Sequence, residues 1–182
     1  MNTKLLTGIF TFLLYSITVA QTSTETFETE FQNSTTFTDN GVVFKIITYA
    51  GGFDIQANYP DTGWNGTAKD NRYIDNSGAG NVVNDPSFGI KTTSNLFKVN
   101  RFWVFLSDRS LNQNVSGTLK VTGKLAGVTK FTQTKTSGFA TSLGSTNGHT
   151  LIDLTNLNGQ NYSNIVIDEL QVTAGGGYIY GL

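Results

Sequence analysis

The longest strongly apolar run outside residues 1–20 is the stretch 96–106. Phe97, Val99, Trp103 and Phe105 fall on one side of an extended chain, and Lys98, Asn100, Phe102, Val104 and Leu106 on the other. Alternation of this kind, rich in aromatic and β-branched residues, predicts a strand. Its second half is apolar on both sides, so both faces need cover. The stretch therefore reads as a central strand, with Trp103 in the core.

Similar patterns recur along the chain. Residues 24–31 alternate Phe27 and Phe31 against Glu28 and Glu30, which fits a first strand at a sheet edge. Asp39-Asn40-Gly41 marks a turn before a strand over 42–49, where Phe44 and Ile46 face one way and Val43 and Ile47 the other. After Gly51-Gly52 the chain resumes at 53–57. Residues 117–125 form a clean strand with Leu119 and Val121 inward, and 128–136 its partner across Gly127. A polar Gly/Ser/Thr loop follows over 138–149. Short strands then fall at 150–154, 165–172 and 178–180.

Residues 58–88 differ. Turn dipeptides follow one another, both prolines lie here, and only Tyr73-Ile74 and Val82-Val83 have strand character. A loop this long in a compact domain is usually functional or disordered, and its aromatics argue for order. No stretch has the apolar period and caps of a helix. Roughly eight to ten short strands with turns between them predict an all-β fold, an antiparallel β-sandwich of jelly-roll type.

Composition narrows the function. Charged residues make up 14% of the 182-residue chain and the net charge is −1, with no basic run. The electrostatic footprint of nucleic-acid binding is missing. The surface must instead be Thr, Ser, Asn and Gly, which suits uncharged hydroxylated ligands. There is no cysteine, hence no disulfide and no thiolate metal site. Residues 1–20 read as a secretory signal peptide: Lys4, an apolar stretch over 5–14, and the small-residue site Thr18-Val19-Ala20. The reading is a protein exported to the outside or the cell surface, with residues 21–182 as one domain. A disulfide-free secreted domain of this size points to a bacterial source. The Asn-x-Ser/Thr sites at Asn33, Asn65, Asn114 and Asn161 follow from an Asn/Thr-rich chain and are given little weight. The closing Gly177-Tyr178-Ile179-Tyr180-Gly181-Leu182 looks like mid-strand, so either the sequence stops within a strand or the native chain continues into a further module.

The Phe27-Glu28-Thr29-Glu30 start, the strand Ile165-Val166-Ile167-Asp168-Glu169-Leu170 and the closing Gly-Tyr-Ile-Tyr-Gly-Leu resemble secreted bacterial jelly-roll modules. They are similar to carbohydrate-binding and adhesion modules of cell-surface proteins. That resemblance implies a structural calcium ion held between early-strand acids and a late acid. It points to Glu28 and Glu30 as metal ligands, while the late Asp of the pattern would fall past Leu182.

The residues allow bland readings beside these. Hard cations want several converging oxygens, and two acids are no site by themselves; Glu28 and Glu30 also suit a charged edge strand. Asp168 shares a face with Val166 and Leu170, and a partly buried Asp needs hydrogen bonds or a cation. Tyr59, Trp64 and Tyr73 in the long loop have flat faces for a sugar ring, with Asn65, Asp70 and Arg72 near in sequence to bond hydroxyls. Alternatively, these aromatics pin the loop to the sheet. His149 is the lone histidine, with no partner for a transition metal and no nucleophile elbow for a triad. The reading is a non-catalytic glycan-binding or surface-adhesion module, its partner a glycan or cell-surface polysaccharide. The alternatives are a carbohydrate-active enzyme working through two carboxylates and a structural spacer of a larger surface protein.

Overall fold

The structure, a computed structural model, describes residues 22–57, 63–65, 70–76, 83–108 and 110–176. The expected signal peptide, Tyr59 and the closing residues 177–182 lie outside the described residues. The described chain is all-β, with one short 3-10 turn at Gly144–Thr146. Ten strands form it: β1 Thr36–Asp39, β2 Val42–Ala50, β3 Asp54–Gln56, β4 Tyr73–Asp75 and β5 Ser87–Thr92, then β6 Arg101–Phe105, β7 Thr118–Leu125, β8 Val128–Lys135, β9 His149–Asp153 and β10 Glu169–Gly175.

Six strands make one antiparallel sheet in the order β1-β2-β5-β10-β7-β8, and β3-β4 and β6-β9 form two smaller pairs. The pairings β5·β10, β6·β9 and β7·β8 are nested one inside the next. A single two-stranded ribbon thus runs from the large sheet into the small pair and back, which brings β7 beside β10. This is the wrapped ribbon of a jelly roll. The core lies between the layers. Phe44, Ile46, Phe88, Leu119, Val121, Leu170 and Val172 of the large sheet meet Phe53, Ile55, Ile74, Val104, Leu106 and Ile152 opposite. Ring contacts stitch the layers, with Phe53 against Phe88 at 4.7 Å and Phe44 against Phe97 at 5.2 Å between centroids.

Local chemistry closes the hairpins. Asn40 and Gly41 both have positive φ (48° and 75°), the two-residue turn that matches strand twist. Ala126 and Gly127 do the same between β7 and β8, although Ala126 at φ 51° lacks the usual turn chemistry. Asp168 compensates by accepting the Ala126 amide at 2.9 Å through Oδ2, which gives that half-buried acid its structural role. The β1 edge is blunted from within: the Thr36 amide donates to Ser34 Oγ and the Thr38 amide to Glu30 Oε1.

Three expectations need correction. Residues 24–31 are not a strand: Phe27 has φ 63° and its carbonyl accepts the Glu30 amide in a turn. The true edge strand is β1. The stretch 96–106 is not central either; only Arg101–Phe105 is strand, and among the described residues it pairs with β9 alone, while Phe97 makes an isolated bridge to Ile167. Apolar residues on both sides reported cover on both sides, not a central position. The centre of the large sheet is β5 and β10, and β5 lies partly inside the stretch read as a loop.

Candidate functional site

Strand alternation divides β6. Val104 is fully buried toward the core, whereas Trp103 is half-buried on the outer side. The expectation that Trp103 belongs to the core is therefore corrected. On β9, Leu151 lies opposite Trp103 and His149 opposite Phe105. This outer face carries part of the long loop. Trp64 stacks on Trp103, centroids 4.6 Å apart and planes 15° from parallel. An offset stack of two indoles gains beyond its buried area.

A specific turn holds that arrangement. Asn147 (φ 53°) and Gly148 (φ 81°) turn the chain just before β9. The Asn147 side-chain amide donates to the Gly63 carbonyl at 3.1 Å and so anchors the segment carrying Trp64 and Asn65. Gly148 is required twice over, by its φ and because a Cβ would collide with Gln113 and the Phe105 ring. Gln113 in turn donates to the Gly148 carbonyl at 2.7 Å.

Tyr73 lies beneath, its ring 5.4 Å from that of His149 and its hydroxyl donating to the Asp70 carbonyl at 2.6 Å. His149 is buried against Phe105, with Nδ1 3.2 Å from the Thr146 carbonyl. That contact selects the Nδ1–H tautomer. Burial lowers its pKa, only partly opposed by the carbonyls of Thr146 and Asn147. The imidazole is held in its neutral form and packs against the Tyr73 and Phe105 rings.

The six ligand residues read from the sequence therefore separate. Trp64 and Asn65 stand at the outer rim, Trp64 half-buried and Asn65 exposed. Tyr73 and Asp70 sit deeper. Arg72 enters through its backbone: the amides of Asn71 and Arg72 both donate to Glu28 Oε1, at 2.8 and 2.9 Å. Tyr59 lies outside the described residues. Trp103 and Asn147 are the positions missed. Trp103 had a signal, since it takes the opposite strand parity to Val104 and Leu106. Asn147 had none, because its partner is 84 residues away.

Beside this rim lies a pair of acids. Asp70 is 6% exposed, and its Oδ1 has no hydrogen-bond partner. Burial pushes its pKa up to about 6, helped by the charge of Glu28 and a hydrogen bond with it. A buried carboxylate beside a second one needs a proton or a cation. The residues thus fit part of a hard-cation site, with Glu28 and Asp70 as oxygen donors. Glu30 turns to the Thr38 amide instead. Among the described residues no three His, Cys, Asp or Glu side chains converge.

No protein-family model matches the chain, and no curated protein matches its sequence. Among solved structures it is similar to CpGH89CBM32-5 from Clostridium perfringens, solved in complex with GalNAc-β-1,3-galactose. The identity is 11% over 76% of this chain and 90% of that one, with a TM-score of 0.41. A likeness this distant carries neither a ligand nor a residue role across. Among the described residues no helix is long and apolar enough to cross a membrane.

Proposed function

We propose that the chain is a non-catalytic, extracellular glycan-binding or surface-adhesion module whose ligand docks on the Trp64–Trp103 rim. The observation that supports this reading is the stacked pair itself, half-buried on the outer face of β6 and β9 rather than enclosed in the core. One indole face is fixed by its partner, so the other stays flat and in place without further ordering cost. It offers the apolar face of a sugar ring something to cover, and the exposed Asn65 follows it in the chain as a polar residue at the rim.

Calcium belongs to the same reading as a structural ion. Glu28 and Asp70 would hold it, and its contribution would be charge neutralisation beside the rim. An ion that binds only the folded state raises the melting temperature by mass action, so chelator should lower the melt and added calcium restore it. The same two acids do not suit glycoside hydrolysis. They are in hydrogen-bonding contact, whereas carboxyls of that chemistry stand roughly 5–9.5 Å apart around the substrate.

The test is a glycan array probed with the secreted domain. Binding to a defined set of neutral glycans is expected. A blank array, with the protein shown to be folded, would move the structural-spacer reading into first place.

A further inference from the structure

The other face of the molecule carries a separate arrangement. On the outer side of the six-stranded sheet, Lys45, Lys91, Glu169 and Lys124 stand in one row across β2, β5, β10 and β7. Glu169 is 3% exposed although it points away from the core, because its neighbours close over it. Lys124 Nζ lies 2.7 Å and Lys91 Nζ 3.3 Å from its oxygens, and the Tyr49 hydroxyl donates to it at 2.6 Å. Burial alone would raise the carboxyl's pKa, but Lys124, Tyr49 and Lys91 outweigh it and hold the group below its usual range.

Tyr49 is fixed by the same contact. Its hydroxyl is pinned to Glu169, and its ring lies over Gly89, where a Cβ would come within 3.2 Å of it. Tyr49 as a residue remains 45% exposed, with the Lys124 ammonium over its ring, 4.8 Å from the centroid. Lys120, exposed further along β7, adds another positive charge to this side. Four lysines thus face one glutamate on the outward positions of the sheet, in a chain whose net charge is −1. The basic residues are scattered in sequence, and only the strand register gathers them.

We infer that this face is a second binding surface, for an acidic saccharide chain carrying carboxylate or sulfate groups. The exposed part of Tyr49, beside the Lys124 ammonium that lies over its ring, takes the apolar side of one sugar unit. The ammoniums of Lys91 and Lys124, held in place by the buried Glu169, meet the anionic substituents at its edge as charge-assisted partners. Lys45 and Lys120 extend the attraction to neighbouring units. A neutral chain would gain the ring alone. The surface is independent of the Trp64 rim, which sits on the opposite layer.

Affinity electrophoresis of the intact protein through gels containing polygalacturonate, dextran sulfate or neutral dextran tests this, with duplex DNA as a competitor. Retention by at least one acidic polymer and not by dextran is expected, and which of the two retains the protein names the anion. Tyr49→Ala and, separately, Lys91→Gln should each weaken retention by about tenfold, while Trp64→Ala leaves it unchanged. Tyr49→Phe, which keeps the ring, separates loss of stacking from loss of the hydroxyl pin, and melts of each variant establish that it is folded. Equal migration in acidic and neutral gels would overturn the inference. So would retention indifferent to Tyr49 and abolished by DNA, which would mark plain cation exchange. A failed glycan array leaves this result unaffected, and a loss confined to Trp64→Ala would transfer the acidic ligand to the rim.

Discussion

Replacing Asp70 by asparagine removes the titration that burial and Glu28 impose on this carboxyl. Its pKa moves from 3.8 in the unfolded chain to about 6 in the folded one. An acid whose folded pKa is raised binds its proton more tightly in the native state. Its contribution is fully present below pH 3.8 and is lost as pH rises through about 6. At about 1.4 kcal/mol per pKa unit, a shift of this size makes the loss on the order of 3 kcal/mol. The amide side chain mimics the neutral acid at every pH. Asp70→Asn should therefore match the parent near pH 4 and gain on it toward pH 7. For a domain of about 150 residues the gain corresponds to roughly 6–12 °C in melting temperature. The assay is a pair of thermal melts across that pH range in chelator, so that no cation takes the proton's place. Parallel curves for the two proteins would refute the reasoning, because they would mean that Asp70 is ionised in a solvated site at neutral pH.

Other outcomes follow from the packing. Trp103→Ala should cost about 1–2 kcal/mol, since the indole is half-buried and stacked, whereas Phe88→Ala in the closed core should cost about 3–5 kcal/mol by urea unfolding. Gly123 makes room for the Phe131 ring, which would sit well inside contact distance of a Cβ, so Gly123→Ala should cost about 1–3 kcal/mol through overpacking. Glu169→Gln should destabilise by on the order of 1–3 kcal/mol at neutral pH by stranding two ammoniums. Because the Glu169 pKa is depressed, its stabilisation is present above the unfolded carboxyl's pKa and lost as pH falls through the folded one. The gap between the two proteins should narrow in acid.

Much of the fold was legible because local signals and tertiary demands agreed. Asn40-Gly41, the Phe44/Ile46 face of β2 and the Leu119/Val121 face of β7 appear where their alternation puts them. Failures arose where a distant partner decided the local state. Strand β5 reads weakly because Ser87 and Gly89 are small, yet β2 and β10 flank it and bury most of it. Phe27 alternates with its neighbours like a strand residue, but its ring meets Phe37 edge-on while its backbone takes positive φ. At the candidate site, Trp64 and Tyr73 announced themselves by type and place. That Trp64 would lie on Trp103, and that Asn147 would hold Gly63, depends on how β9 is laid beside β6. No short-range pattern encodes that pairing.

The central claim, a glycan site on the Trp64–Trp103 rim, is tested most directly by calorimetric titration of the parent and Trp64→Ala with the tightest glycan found on the array. The account predicts a loss of about 1–3 kcal/mol in binding, the range of an aromatic contact with a buried partner, with the melting temperature lowered by only a few degrees, the share of a half-buried stacked ring. Unchanged affinity, or a sharply lowered melt with no glycan bound by the parent, would contradict it and leave Trp64 as a structural cover for β6.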